Sequence, residues 1–144
     1  MSGEQDVVFY VLSSDGDAER EAFIAKLVNK IHRENRLCDI RFDEEQARTR
    51  FDTQLWQYQP QAFIPHVLGE EVNELAAPIR LWSENIAQPC QDVLLNIHPV
   101  FPETFEQYRR TIEVLDQSER LIQMGRERWK TYKAKGFEPV VHKI

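Results

Sequence analysis

The sequence predicts an α/β domain of three layers, with a mostly parallel sheet between helices on both faces. Three observations carry that prediction. Short apolar runs alternate along the chain with longer segments of helical spacing. The first run, Val7-Val8-Phe9-Tyr10-Val11-Leu12, is almost continuously apolar, as in a strand covered on both faces. A length of 144 residues with 42% hydrophobic and 29% charged side chains suits one soluble domain with a single sizeable core.

Each element can be justified in turn. Ser13-Ser14-Asp15-Gly16-Asp17 breaks the first strand, and Ser14 and Asp17 have the spacing of a capping box. Phe23, Leu27 and Ile31 then share one face with Ile24 and Val28 beside them, which makes an amphipathic helix that Asn35 stops. Leu37-Cys38-Asp39-Ile40-Arg41-Phe42 alternates apolar and polar residues, a second strand. Asp43 and Gln46 repeat the capping arrangement before a second helix, whose inward face is Ala47, Phe51 and Leu55.

That helix runs into Trp56 and Tyr58, and Pro60 forbids its continuation. Phe63-Ile64 follows and is cut off by Pro65, which pushes Ile64 into an extended conformation. Four large hydrophobes thus sit beside two prolines, either as a core strand or as a partly exposed surface. Gly69 to Glu74 reads as an acidic loop, Pro78 to Trp82 as a short strand and Val93 to Ile97 as another. Pro102 suits the first turn of a helix continued by Phe105, Tyr108, Ile112 and Leu115. Asp116 and Glu119 open a separate last helix through Lys135, with Gly136 as its terminator. Phe137 and Val140-Val141 suggest a final short strand. Together the elements form one Rossmann-like domain over residues 1–144, without an internal repeat or linker.

Composition narrows the function. No apolar run reaches the length of a bilayer, and the polar, acidic start does not read as a secretory signal. Two cysteines, Cys38 and Cys90, are too few for a disulfide framework or a zinc cage, so the cytoplasm is the expected compartment. The net charge of −6 is unevenly spread: residues 117–144 hold seven basic and three acidic residues, a net of +4, which leaves −10 for residues 1–116. An acidic body repels a phosphate backbone, so direct nucleic-acid binding is not expected.

The chemistry-bearing patterns are absent. The first strand–helix turn has one glycine and two acids, neither a dinucleotide fingerprint nor a phosphate loop. His32, His66, His98 and His142 are scattered, without cysteine or glutamate at ligand spacing. Ser13 and Ser14 lack the flanking glycines of a nucleophile elbow. No catalytic residue, metal, cofactor or small-molecule substrate is expected. A small nucleotide-binding or hydrolytic α/β enzyme is the alternative, and these absences weigh against it.

The last helix is more informative. Ile122, Arg126, Trp129, Lys130 and Lys133 recur at steps that place them on one face. Leu121 and Tyr132 suit the inward stripe, with Met124 and Arg128 also offset from that face. A guanidinium, two ammonium groups, an indole and an aliphatic chain suit a short peptide that is acidic and ends in an aromatic residue. A plain solvated basic face is the other reading.

Several segments in register also resemble the chi subunit of bacterial DNA polymerase III. They are Phe9-Tyr10-Val11-Leu12, Trp56 followed by Phe63-Ile64-Pro65-His66, Arg126-Glu127-Arg128-Trp129-Lys130-Thr131-Tyr132-Lys133, and Gly136-Phe137. That resemblance covers nearly the whole chain and implies a non-catalytic adaptor of the clamp loader. It implies that Ile122, Arg126, Trp129, Lys130 and Lys133 bind the acidic C-terminal tail of single-stranded DNA-binding protein, with Arg126 on the terminal carboxylate. It further implies that Trp56, Phe63, Ile64 and Pro65 dock on the psi subunit. Gly125 departs from a good helix sequence at a cost of about 1 kcal/mol relative to alanine; it either lets a peptide approach closely or loosens the helix.

Overall fold

The computed structural model describes residues 5–43, 45–57, 66–68, 78–83, 86 and 89–144, with the backbone alone for 54–57, 66 and 67. The strands are β1 (Asp6–Val11), β2 (Cys38–Arg41), β3 (His66–Leu68), β4 (Ile79–Trp82), β5 (Val93–Asn96), β6 (Arg110–Leu115) and β7 (Val140–Lys143). The helices are α1 (Asp17–Arg33), α2 (Glu45–Gln57) and α3 (Glu119–Ala134), with a 3-10 turn at Phe105–Gln107. The strands form one sheet in the order β3-β4-β2-β5-β6-β1-β7, and every pairing described is parallel. The predicted three-layer α/β fold is therefore present.

Alternation along the strands divides the core in two. Val8, Ile40, Leu81, Leu95, Ile112 and Val114 point to the face covered by α1, whose Ile24, Leu27, Val28 and Ile31 fill it, and by Phe51 of α2. Val7, Phe9, Leu94 and Leu115 point to the opposite face, where Leu121 and Tyr132 of α3 pack with Phe105 and Tyr108. The periodic residues of α1 thus face the core where the spacing put them, Phe23 partly buried and the others fully.

The helix stops are also as read, and their geometry explains them. Asn35 (φ 59°) and Gly136 (φ 94°) take the left-handed conformation just past α1 and α3. In each case two backbone amides reach back, Asn35 to His32 and Arg36 to Ile31, then Gly136 to Lys133 and Phe137 to Tyr132. These are the paired bonds that close a helix on a left-handed residue. The start of α1 differs from expectation. Gly16 is its N-cap, without a side-chain cap, and Ser14 instead accepts the Gln117 amide through its carbonyl.

Two further expectations fail for related reasons. Residues 102–115 are not a helix: the 3-10 turn ends at Gln107, and β6 follows. Thr111-Ile112-Glu113-Val114-Leu115 is buried at every position, and its β-branched residues suit a strand covered on both sides. The helical spacing of Phe105, Tyr108, Ile112 and Leu115 left Glu113 off the inward face, yet it is 1% accessible and paired. Asp39, the polar member of an alternating strand, is likewise fully buried. Its carboxylate accepts from Arg80 Nε (3.1 Å), Trp82 Nε1 (3.0 Å), the Cys90 amide (2.8 Å) and the Tyr108 hydroxyl (2.7 Å). Four donors compensate the desolvation of one buried carboxylate, and they join β2, β4, the 90–92 turn and the 3-10 turn.

Candidate functional site

The setting of α3 against the sheet decides what its outer face can do. The helix turns Leu121, Gly125, Arg128 and Tyr132 inward. Gly125 lies where a Cβ would come 2.5 Å from Leu115 Cδ1, so the glycine lets the helix sit close to β6. It faces the core and not a peptide, which resolves the two readings of this residue.

Arg128 was grouped away from the basic face, and its role is structural. Its Nη1 donates to Glu113 Oε2 (2.9 Å) and its Nη2 to the Pro99 carbonyl (2.7 Å). The Tyr132 hydroxyl donates to the same Glu113 oxygen (2.8 Å), and Asn96 Nδ2 donates to it at 3.2 Å. Asn96 in turn accepts from Arg41 Nη1 (3.1 Å). Burial pushes the Glu113 carboxyl above its usual range, against the pull of Arg128, Tyr132 and Asn96. Burial and the Glu113 charge together push the Tyr132 hydroxyl upward. This pair locks the rotation of α3, and it removes one of the basic charges from the exposed surface.

An aromatic framework completes the lock. Phe9 meets Trp129 edge-on (5.9 Å, 74°) and Tyr132 likewise (5.9 Å, 87°). Phe105 packs edge-on against Tyr132 (5.1 Å) and Phe137 (5.1 Å). Such contacts fix ring orientation as well as burying area.

With α3 so fixed, the five predicted residues lie on one flank of it. At 100° per residue they span an arc of roughly 100°, from Trp129 nearest the sheet to Lys130 farthest out. Ile122 and Trp129 are partly buried, while Arg126, Lys130 and Lys133 are exposed. Lys133 Nζ stands 5.7 Å from the centre of the Trp129 ring and 3.7 Å from the exposed carboxylate of Glu138. Arg126 and Lys130 make no ion pair among the described residues. The flank is therefore an apolar ledge with a row of solvated cations above it.

The structure also supplies neighbours that the sequence did not reveal. Parallel pairing sets Val141 beside Phe9 and Lys143 beside Val11, so both project on the α3 side of the sheet next to this flank. Both are exposed. Only strand order could show this. By contrast Trp56 is described only as backbone in α2, and Phe63, Ile64 and Pro65 lie outside the described residues.

At the carboxyl ends of the strands lies a cleft of about 200 Å³, where folds of this kind often hold nucleotides. Arg20, Arg50 and Arg120 line it together with Asp17, Glu21 and Asp43. Two of its arginines are engaged: Arg50 Nη2 pairs with Glu21 (3.1 Å), and Arg20 Nε donates to the Val114 carbonyl (2.9 Å). Among the described residues no cluster of His, Cys, Asp or Glu is arranged to hold a metal ion, and no helix is long and apolar enough to cross a membrane.

Fold and flank together define a class: a parallel α/β domain whose built surface is a helix face of cations over an aromatic ledge. Comparison with known proteins gives the family. The match to "DNA polymerase III chi subunit, HolC" spans residues 5–140, and the chain belongs to this family of accessory subunits of the replicative polymerase. It is similar to the DNA polymerase III subunit chi of Escherichia coli K12, 25% identical over 138 residues, covering 92% of this chain and 94% of the relative. The subunit chi of Pseudomonas aeruginosa is 27% identical, with 96% of each chain covered. That of Haemophilus influenzae is 25% identical over 130 residues, with 90% of each covered. The solved crystal structure of T4 UvsW shares the fold at a TM-score of 0.70 and 12% identity, over 98% of this chain and 42% of that one. At that identity the likeness concerns the fold alone.

Proposed function

We propose that the protein is a non-catalytic cytoplasmic adaptor of the clamp loader that captures the acidic C-terminal tail of single-stranded DNA-binding protein on the outer flank of α3. One observation carries this reading. Arg126, Lys130 and Lys133 are held in a row beside Trp129 and Ile122 by a helix whose rotation is locked from below. Arg126 takes the terminal carboxylate, Lys130 and Lys133 draw the acidic residues before it, and Trp129 with Ile122 receives the terminal aromatic ring. The acidic remainder of the molecule discourages direct DNA contact and leaves recognition to the tail.

A second surface, Trp56 with Phe63, Ile64 and Pro65, docks on the psi subunit and connects the tail-bound adaptor to the replicase. Family membership and the proline-bracketed spelling of that stretch support this part.

Calorimetry with an acidic peptide ending in Pro-Phe tests the first surface. Binding weakens with added salt and falls at least tenfold with Arg126→Ala, the loss of a charge-assisted bidentate contact. Unchanged affinity in that variant would remove Arg126 from the site. Co-purification with psi tests the second: Phe63→Ala abolishes it while the domain stays folded, whereas loss of folding would return Phe63 to the core.

A further inference from the structure

β7 ends the sheet, and its outer side is uncovered among the described residues: all of its residues are exposed, Val140 at 47% and Val141 at 41%. Its hydrogen-bonding direction can be read from one bond. The Ile144 amide donates to the Val11 carbonyl (2.9 Å), and Lys143 is the register partner of Val11. In a parallel pair, alternate residues turn their main-chain groups to the same neighbour. Val140, His142 and Ile144 therefore face β1, while Val141 and Lys143 turn their N–H and C=O groups away from the sheet. Those same two residues project their side chains on the α3 side, beside the flank of Trp129, Arg126 and Lys133.

An open edge of this kind is a template for another strand. Its surroundings specify the chemistry of that strand. Lys143 lies on the edge, Arg126 and Lys133 are exposed on the flank of α3 whose Trp129 packs on Phe9, and Val141, the register partner of Phe9, adds an apolar step. We propose that an extended acidic peptide joins the sheet along β7, pairing its backbone with Val141 and Lys143 while its side chains on one face meet the flank of α3. This inference rests on the tail-binding reading and gives the bound tail a conformation: the segment before its terminal aromatic residue is a β-strand. Main-chain pairing holds the peptide without regard to sequence, and the cations select its charge.

The test uses the full chain, the acidic Pro-Phe peptide, and Val141→Pro with Val141→Thr as its control. Proline at Val141 removes an N–H that the fold does not use, at an edge position where proline is tolerated. The expected result is a loss of about tenfold in affinity for Val141→Pro, the equivalent of one or two main-chain hydrogen bonds, and little change for Val141→Thr. Amide exchange on the unmodified protein adds a readout independent of the variant: the Val141 and Lys143 amides become protected when peptide is bound. If the peptide binds and Arg126→Ala weakens it, but the two amides stay unprotected, strand addition is wrong and tail capture stands. If the peptide does not bind the unmodified protein, both proposals fail.

Discussion

Arg126 and Arg128 differ by two positions in α3, and the structure assigns them opposite consequences. Arg128→Ala removes two hydrogen bonds of a charged donor, at 2.9 Å to Glu113 and 2.7 Å to the Pro99 carbonyl. It leaves a carboxylate at 1% exposure with only Tyr132 and Asn96 as donors. Stranding one partner of a buried pair costs about 3–5 kcal/mol. With a denaturant slope of about 2 kcal/mol per molar, the urea midpoint should fall by about 2 M. Arg126→Ala, on the exposed flank, should change stability by less than about 0.5 kcal/mol, a midpoint shift below about 0.3 M. The pH dependence gives a second signature. Glu113 already has a raised carboxyl in the native state, and losing Arg128 raises it further. The native variant then holds a proton that the unfolded chain releases, so its stability falls as pH rises above the ordinary glutamate range. The deficit should therefore be smaller at pH 5 than at pH 7. A midpoint shift in Arg128→Ala as small as that of Arg126→Ala would refute the buried-pair account.

Three further outcomes follow from the geometry. Gly125→Ala gains about 1 kcal/mol in helix propensity but forces Leu115 aside, at about 1–3 kcal/mol for overpacking. A net destabilisation of about 1 kcal/mol is expected in thermal melts, and the same substitution made in a Leu115→Ala background should cost less, because the methyl group it meets is gone. Gly136→Ala should lower stability by about 1 kcal/mol, since φ of 94° strains any side chain there. On the alkaline side, burial raises the Cys38 and Cys90 thiols, Cys90 to about 11, and the Tyr108 and Tyr132 hydroxyls upward as well. Raised groups keep their protons in the native state after the unfolded chain has lost them. Stability should thus decline above about pH 9, by up to about 1.4 kcal/mol per pH unit for each such group, and pH-titrated unfolding would show it.

Much of the fold was legible because its signals are local. The continuous apolar run of β1, the spacing of Phe23, Leu27 and Ile31, and the stops at Asn35 and Gly136 each depend on neighbouring residues alone. The failures share a different cause. Asp39 and Glu113 are charged residues whose burial depends on partners far away in sequence, which local periodicity does not encode. The helix expected over 102–115 rested on the spacing of Phe105, Tyr108, Ile112 and Leu115, which holds equally well in a turn followed by a buried strand. The candidate site was legible to the extent that it lies on one helix. Ile122, Arg126, Trp129, Lys130 and Lys133 share their flank as spaced. Val141 and Lys143 join it through strand order, which periodicity does not encode.

The central claim is that Arg126 holds the terminal carboxylate of a bound acidic tail. It is tested most directly by titrating the protein and its Arg126→Ala variant with the Pro-Phe peptide, once with a free C-terminus and once amidated. The account predicts that amidation weakens binding to the unmodified protein at least tenfold and leaves binding to the variant almost unchanged. Equal losses on amidation in both proteins would place the carboxylate elsewhere and contradict it.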